Sequence, residues 1–298
     1  MAQKSPLLSI WSLPQPVFVF GSAILAASAA ANHWMDAGLL VSILMFAPIP
    51  LLLIAERLLP KRRDWLLNWR DLLEDSFWVF ATYLIWVPIY DEAYDTPISN
   101  FFASLRDASG FPFRLEAETT VGLVVAALIG IFAKEFIAYW LHRIQHRFMF
   151  FWRIHATHHH ITKLSVARAE RTHPLEFLGL NLGSAIALAF LGASPDVVGV
   201  VVVFGLTSAH FNHSNLPLVS GVFGWLFNTA QWHQLHHSCN YDESNTNYGC
   251  VVILWDRVFG TFSGKDNIER VGNGTGEQLS LLSQLTIPVR SDEVLRSL

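Results

Sequence analysis

Long apolar runs recur along the 298 residues of this chain, separated by short polar or basic segments. A helix rises about 1.5 Å per residue, so about 20 apolar residues cross the roughly 30 Å hydrocarbon core of a bilayer. Runs near that length predict six candidate membrane helices, at 16–31, 37–58, 73–89, 120–141, 175–191 and 196–210. The first, third and sixth are short enough to enter the membrane without crossing it. The pattern therefore predicts an all-α integral membrane bundle of about four to six spans.

The composition supports a membrane protein and excludes one class of partner. Charged residues make up 15% of the chain, against about 25% in soluble globular proteins, and the mean hydropathy is +0.35. The 11 Trp and 22 Phe are typical of a chain that meets bilayer interfaces. The net charge is only -4 and no basic stripe is present, so we expect no nucleic-acid partner.

The distribution of Lys and Arg predicts how the bundle lies in the membrane. With a cytosolic amino terminus, all but three of the 20 Lys and Arg fall in cytosolic segments. The exceptions are Arg106 and Arg114 on the opposite side and Lys134 inside a predicted span. Positive charge is retained on the cytosolic side, so these basic segments are predicted to be cytosolic. Nearly all the histidines lie in or next to the same segments, and we therefore expect a histidine-rich helical cap on that side. The predicted regions are anchoring helices at 1–119, a histidine-rich domain at 120–264 and a polar tail at 265–298.

Twelve of the 13 histidines fall between His142 and His237, and ten of them form four groups. The motifs are HxxxH in "YWLHRIQHR", HxxHH in "HATHH", a pair in "SAHFNHSN" and HxxHH again in "QWHQLHHS". Helical positions three or four apart share one face, so the rings of each group can converge. The groups comprise His142 and His146; His155, His158 and His159; His210 and His213; and His233, His236 and His237.

Ten converging imidazoles predict a metal centre. Without a cation, many buried ring nitrogens would be unpaired, and any protonated rings would repel one another. Neutral imidazole binds iron, copper and zinc, and ten ligands exceed a closed four-ligand zinc site but suit two ions. The zinc-protease motif HExxH is absent, and a single Glu-x-x-His pair, Glu170 to His173, disfavours a ferritin-like carboxylate site.

The order of the motifs resembles the fatty acid hydroxylase and sterol desaturase superfamily, especially its bacterial members. The matching segments are "HRIQH", "HATHH", "RTHPLEF", "FNHSN", "HQLHHS", "NYG" and "WDRVFGTF", between about residues 135 and 262. The resemblance implies a non-haem di-iron oxygenase that uses O2 and two electrons to hydroxylate or desaturate a membrane lipid. It also implies two Fe ions, replaceable by zinc in preparations, and a bacterial inner membrane with the active site on the cytosolic side.

The resemblance also implies which residues carry the reaction. The catalytic metal ligands would be His142, His146, His155, His158, His159, His233, His236 and His237. Further metal-binding candidates are His173, His210 and His213, whereas His160 is expected to be a solvated neighbour. Asp256 and Arg257 of "WDRVFGTF" are expected to hold the cap together.

Glu135 and Tyr139 lie on the same helical stripe as His142 and His146, at spacings of 4, 3 and 4 residues. A carboxylate inside a span costs about 2.5–3.5 kcal/mol, which indicates that it has a partner. We expect Glu135 to accept a hydrogen bond from a ligand imidazole or from Tyr139, so that both support the ligands. The alternative is a local pair between Glu135 and Lys134.

No flavin, nicotinamide or fused haem motif is visible, so a separate carrier of the ferredoxin, cytochrome b5 or rubredoxin type is expected to supply electrons. Two other functions remain open from the residues alone. A membrane zinc-dependent hydrolase would use the same histidines without electrons. A metal transporter would hold its ligands near the middle of the membrane rather than at helix ends.

Overall fold

The computed structural model describes residues 9–272 and 276–297 of the chain. Within these residues helices form all the regular secondary structure, and one isolated bridge joins Ser238 to Val271. The prediction of an all-α membrane bundle is confirmed.

The helices fall into a membrane part and a smaller cap. The membrane helices are α1 (Pro14–Asn32), α2 (Ala37–Phe46), α3 (Pro48–Leu58), α4 (Trp69–Ala81), α5 (Val87–Tyr90), α6 (Thr96–Ser109) and α7 (Thr120–Arg147), followed after α8 (Met149–His159) by α9 (Leu182–Phe190) and α10 (Pro195–His213). The remaining helices are α11 (Ala230–His236), α12 (Tyr241–Ser244), α13 (Leu254–Phe259), α14 (Leu281–Leu285) and α15 (Asp292–Ser297). We call the described residues of 148–172 and 214–297 the cap.

Within the described residues, five helical segments are long and apolar enough to cross a membrane: Ile10–Asn32, Gly38–Leu58, Trp69–Ser109, Thr120–Arg147 and Pro195–His213. Their number agrees with the predicted four to six spans. The third is longer than its predicted range, because two π-helical segments, Thr82–Trp86 and Asp91–Asp95, join α4, α5 and α6 into one helical stretch.

The predicted span 175–191 is wrong in length. Its first residues form a 3-10 helix, Pro174–Leu178, and α9 has only nine residues, about 14 Å. Gly183 allows α9 to approach α7 closely, since a Cβ there would lie 2.7 Å from the carbonyl oxygen of Lys134. Helix α9 is therefore too short to cross the membrane. It packs against α7 and returns the chain to the start of α10.

Helices α7 and α10 both end at the cap and pack together with α1. Their shared core includes Ala23 and Ala27 of α1, Ala127 of α7 and Val200 of α10, small side chains that let the helices come close. Helix α10 begins where Ser194 Oγ accepts a hydrogen bond from Val197 N at 3.4 Å. Because α7 and α10 both end at the cap, the histidines in their last turns lie at the same end of the bundle.

The carboxyl-terminal region, predicted as a polar tail, packs into the cap. Gln284 is fully buried, and its side-chain oxygen accepts a hydrogen bond from Trp78 Nε1 of α4 at 3.2 Å. Thr157 Oγ1 of α8 donates to the Gln284 carbonyl oxygen at 3.3 Å. Helix α14 thus covers α8, which carries histidines.

A buried ionic network joins the cap to α4. Arg168 and Arg171 are fully buried. Arg168 donates to Asp71 at 2.8 Å, and Arg171 Nε donates to Asp75 at 2.5 Å. Asp75 also accepts from Arg168 Nε at 3.4 Å, so it contacts both guanidinium groups. The network fixes residues 168–171 against the membrane helix.

We expect Asp75→Asn to lower the free energy of unfolding by about 3–5 kcal/mol, because it leaves two buried guanidinium groups under-compensated. Chemical unfolding of the purified protein in detergent measures the change. Asp64→Asn is the matched control: its carboxylate is 62% exposed and pairs with Arg62, so its loss should cost no more than about 1 kcal/mol. Equal losses for the two variants would contradict this account of the network.

Candidate metal centre

Two groups of buried histidines lie side by side at the cap end of the bundle. The first group contains His142, His146, His155, His159 and His236, and the second contains His158, His213, His233 and His237. Within each group, one ring nitrogen per residue lies within 4.8 Å of all the others. We call them the first and second clusters. The structure thus brings together all eight residues predicted as catalytic ligands, and His213 with them.

The two HxxHH motifs divide between the clusters in opposite ways. On α8, the i, i+4 pair His155 and His159 joins the first cluster, while His158 joins the second. On α11 and its carboxyl-terminal cap residue, the i, i+4 pair His233 and His237 joins the second cluster, while His236 joins the first. Because adjacent helical positions differ by about 100° in direction, a doubled histidine supplies ligands to both sides. Each motif therefore belongs to both clusters.

Backbone carbonyls fix the tautomers of four rings. The Nδ1 atoms of His142 and His236 lie 2.5 and 2.8 Å from the carbonyl oxygens of Tyr248 and Thr246. In the second cluster, the Nδ1 atoms of the other two rings contact the carbonyl oxygens of Ala209, at 2.9 Å from His213, and of Arg171, at 3.2 Å from His158. A carbonyl only accepts, so each Nδ1 carries the hydrogen and each Nε2 of a neutral ring presents a lone pair.

These bare Nε2 atoms point at one another. The Nε2 atoms of His142 and His236 are 3.0 Å apart, and those of His158 and His213 are 3.2 Å apart. Two lone pairs form no hydrogen bond, so these contacts are repulsive without a cation between them. Nitrogens bound to a transition metal at about 2.0–2.1 Å, as in zinc sites, lie roughly 3 Å apart when their bonds are at right angles. The donor set therefore fits a metal ion in each cluster.

Burial keeps the rings in the form that binds metal. Desolvation lowers the pKa of His155 to about 3 and that of His158 to about 4, so both are neutral near pH 7. The Nε2 atoms of His146 and His159 are buried and have no hydrogen-bond partner among the described residues. Unpaired buried nitrogens are costly, and a metal ion would satisfy them.

Asp256 holds the loop that orients His142. Its Oδ1 accepts from Tyr248 N at 2.8 Å and its Oδ2 accepts from Gly249 N at 2.7 Å. The same loop supplies the Tyr248 carbonyl that contacts His142. Burial raises the pKa of Asp256 to about 6. Arg257 donates to the Gly224 carbonyl oxygen at 2.9 Å, so both residues hold the cap together, as expected from the sequence.

Among the described residues, Glu135 accepts no hydrogen bond from a ligand imidazole or from Tyr139, and the alternative, a local pair with Lys134, is the one the structure has. Glu135 lies two helical turns before His142, about 10 Å along α7, which places it out of reach. Instead its carboxylate accepts from Lys134 Nζ at 2.6 Å and from Val251 N at 2.7 Å. The hydroxyl of Tyr139 contacts Thr261 Oγ1 at 2.9 Å and accepts from Arg143 at 3.0 Å. Both therefore support the metal centre through the segment 248–261.

Three other histidines lie outside both clusters. His173 Nδ1 accepts from Leu175 N at 3.1 Å and caps the 3-10 helix that follows. His210, one turn before His213 on α10, has its Nε2 3.4 Å from Glu170 Oε1. His160 was expected to be solvated, but it is buried because its ring turns back to the Thr157 carbonyl oxygen at 2.9 Å. Neither His173 nor His210 joins the converging nitrogens.

Glu176 lies at the metal centre but was not among the residues predicted from the sequence. Its Oε2 lies 3.2 Å from Nδ1 of His155, and its Oε1 accepts from Gln145 Nε2 at 2.9 Å. The two atoms are at ion-pair distance, but their geometry is not that of a hydrogen bond. A carboxylate beside the far nitrogen of a metal-binding imidazole favours one ring orientation and increases the basicity of the ring. Burial raises the pKa of Glu176 to about 7. The motif "RTHPLEF" contains this residue, but only its histidine was considered a ligand.

A cavity of about 430 Å³ opens beside both clusters. Its wall includes His142 and His155 of the first cluster and His158, His213 and His233 of the second. Apolar side chains of α10, among them Val201 and Leu206, line it farther from the cap. Both clusters therefore face one space that extends between membrane helices.

About half of this chain is similar in sequence to known proteins. The family model for fatty acid hydroxylase matches residues 127–261. Ornithine lipid hydroxylase OlsE of Rhizobium tropici is 35% identical over 139 residues, which cover 45% of this chain and 41% of that protein. Alkylglycerol monooxygenase of Homo sapiens is 30% identical, over 47% of this chain and 31% of that protein. Methylsterol monooxygenase 2-2 of Arabidopsis thaliana is 27% identical, over 55% and 60%. No solved structure matches.

We expect Glu176→Gln to weaken metal binding by about 10–100-fold, because an amide orients the His155 ring less strongly than a carboxylate. Metal affinity is measured by competition with a coloured chelator. Glu116→Gln, whose carboxylate is 57% exposed and remote from the histidines, is the control and should bind as the wild type does. An unchanged affinity in Glu176→Gln would remove the proposed role of this carboxylate.

Proposed function

We propose that this chain, whose residues 127–261 match the family model for fatty acid hydroxylase, is an O2-dependent oxygenase that hydroxylates, or desaturates, a membrane lipid. One observation carries the proposal: two histidine clusters, each fitted to a metal ion, face the same cavity between membrane helices. This is the arrangement that a lipid substrate requires, because its reactive carbon must reach the metals from the bilayer.

We propose that iron occupies both clusters, with zinc as a substitute in some preparations. The nine clustered histidines would hold the two ions, five in the first cluster and four in the second. Iron bound there would supply O2 activation and the removal of hydrogen from an unactivated C–H bond, which no side chain can perform. The carbonyls of Tyr248, Thr246, Ala209 and Arg171 keep the ring nitrogens aimed inwards.

The cavity selects and positions the substrate. Val201, Leu206 and Ala209 of α10 and Met45 of α2 give it apolar walls that suit an aliphatic chain and exclude water. Glu176 and Glu170 lie in the wall near the histidines. Glu176 orients His155, while Glu170 accepts a hydrogen bond from Tyr83 at 3.0 Å. These residues hold the site in shape while the chain of the substrate lies beside it.

The relatives favour an oxygenase over the hydrolase and the transporter. Their names specify a hydroxylase and two monooxygenases, acting on ornithine lipid, alkylglycerol and methylsterol. This chain spans less than two thirds of each, so its own substrate is proposed only as a membrane lipid. The histidines also lie at the ends of α7 and α10, which does not suit a ligand site at the middle of the membrane.

The proposed setting is a bacterial inner membrane with the metal centre on the cytosolic side. The basic residues of the cap and of the connection 59–68 support this orientation by the positive-inside rule. A separate one-electron carrier of the ferredoxin, cytochrome b5 or rubredoxin type would then deliver the two electrons that each turnover consumes.

The reaction is tested with iron-loaded protein in vesicles made from lipids of the source cells. We expect a product one oxygen atom heavier, or two hydrogens lighter, to form only when both O2 and a reduced carrier are present. Mass spectrometry of the lipids, with labelled O2, identifies the product. Lipid cleavage without O2 or reductant would instead establish a hydrolase and overturn the proposal.

Removal of one ligand from each cluster tests the two-ion arrangement. We expect His236→Ala, in the first cluster, and His213→Ala, in the second, each to lower the bound metal by about one ion per chain and to abolish turnover. Elemental analysis of purified protein gives the stoichiometry. His33→Asn is the control, since His33 is remote from the clusters and Asn tolerates its left-handed backbone. Two ions retained in either alanine variant would contradict the assignment.

A further inference from the structure

The cavity beside the histidines also reaches two carboxylates of a membrane-spanning helix. Asp91 and Asp95 line it, together with Thr82 and Tyr83 of the same helical stretch, Trp69–Ser109. The two acids bound the second π-helical segment, Asp91–Asp95, and π segments inside α-helices are frequent at functional sites. One wall of the cavity therefore holds metal-binding nitrogens and another holds negative charge.

These carboxylates have no cationic partner within the described parts of the chain. No Lys, Arg or His nitrogen lies within 4 Å of either one there, and Asp95 only accepts a hydrogen bond from Ser99 Oγ at 3.4 Å. Lys134, which also lines the cavity, is engaged with Glu135 at 2.6 Å. An acid in a membrane span is unfavourable without a partner, and two neighbouring like charges add repulsion. The pair thus lacks the counter-charge that its position requires.

A second polar group points to a ligand in the same space. Thr82, which begins the first π-helical segment, is only 4% exposed. Its Oγ1 is buried and has no hydrogen-bond partner among the described residues, although Thr82 lines the cavity. A buried hydroxyl without a partner costs free energy that a polar ligand would recover.

We propose that the cavity binds a lipid whose polar group carries an ammonium, which Asp91 and Asp95 hold by charge and Thr82 by a hydrogen bond. This inference rests on the proposed function and names the substrate class of that site. An ammonium donates to both carboxylates and offsets one of their two charges, whereas an uncharged lipid offsets neither. The aliphatic chain of the lipid then runs along the apolar wall to the histidines.

The structure also indicates how far the ammonium lies from the metals. Ser99 Oγ joins Asp95 Oδ2, at 3.4 Å, to the carbonyl oxygen of Ala185 on α9, at 3.5 Å. Two residues before Ala185, α9 packs against the Lys134 carbonyl of α7, eight residues before His142. At 1.5 Å per residue, Asp95 lies about 12–15 Å from the first cluster along the bundle, and Asp91, four residues earlier in the stretch, lies about 6 Å nearer to it. The carbon attacked would therefore lie well along the chain from the ammonium.

Equilibrium binding to the full-length, metal-loaded protein in detergent tests the proposal, with hexadecylamine and hexadecanol as paired probes. Wild type should bind the amine at least about tenfold more tightly than the alcohol. The double variant Asp91→Asn with Asp95→Asn should lose that preference and bind the alcohol as before. Glu92→Gln removes one charge from the same π segment without lining the cavity, so it should keep the preference.

Metal content, measured on every variant, shows whether the fold and the clusters persist. If the double variant loses its metal, the preference for amine over alcohol is measured instead in the two single variants and in wild type, and each single variant should reduce it. Equal affinity of wild type for amine and alcohol, or a preference that survives in metal-loaded double variant, would overturn the inference. Binding is measured without O2 or reductant. Equal affinities for amine and alcohol therefore leave the oxygenase proposal standing, and a lack of turnover leaves the binding result standing.

Discussion

The repulsion between buried imidazole lone pairs is the constraint on which the rest of the structure depends. Carbonyl contacts at Nδ1 turn bare Nε2 atoms towards one another at about 3 Å in both clusters. Such a cluster is unfavourable alone and favourable around a cation, so metal binding contributes directly to folding. The bundle, the cap and the four backbone carbonyls that contact Nδ1 atoms hold these nitrogens at a spacing that only a metal ion makes favourable.

Local helical geometry explains how few elements build two sites. One HxxHH motif gives its i, i+4 pair to the first cluster and the other gives its pair to the second, so the clusters share both motifs. Helices α7 and α10 add ligands from their last turns, where the negative end of the helix dipole favours a bound cation. The clusters cannot separate without breaking α8 or α11, which explains why they face a common cavity.

The sequence was sufficient for the all-α class, a range of four to six spans and the converging histidines, because apolar run length and i, i+4 spacing are local properties. It wrongly predicted a span where the short helix α9 lies. It could not assign each histidine to a cluster, since that depends on how α8 and α11 meet. The partner of His155 was also hidden: Glu176 lies 21 residues away and contacts it only after the chain turns at residues 160–174. Likewise, Glu135 shares a helical stripe with His142, yet two turns of rise direct it to the Val251 amide instead.

One long helical stretch connects the metal centre to the proposed ammonium site. Near its start, Asp75 binds the Arg171 guanidinium, while the Arg171 carbonyl contacts His158 of the second cluster. Farther along the same stretch, Asp91 and Asp95 enter the cavity. The rise of this stretch sets the distance between Asp75 and the acid pair, and the contact of Asp75 with Arg171 links the stretch to the second cluster. Selection of one carbon along a flexible chain would follow from the distance between ammonium and metal, because the site measures the substrate from its charged end.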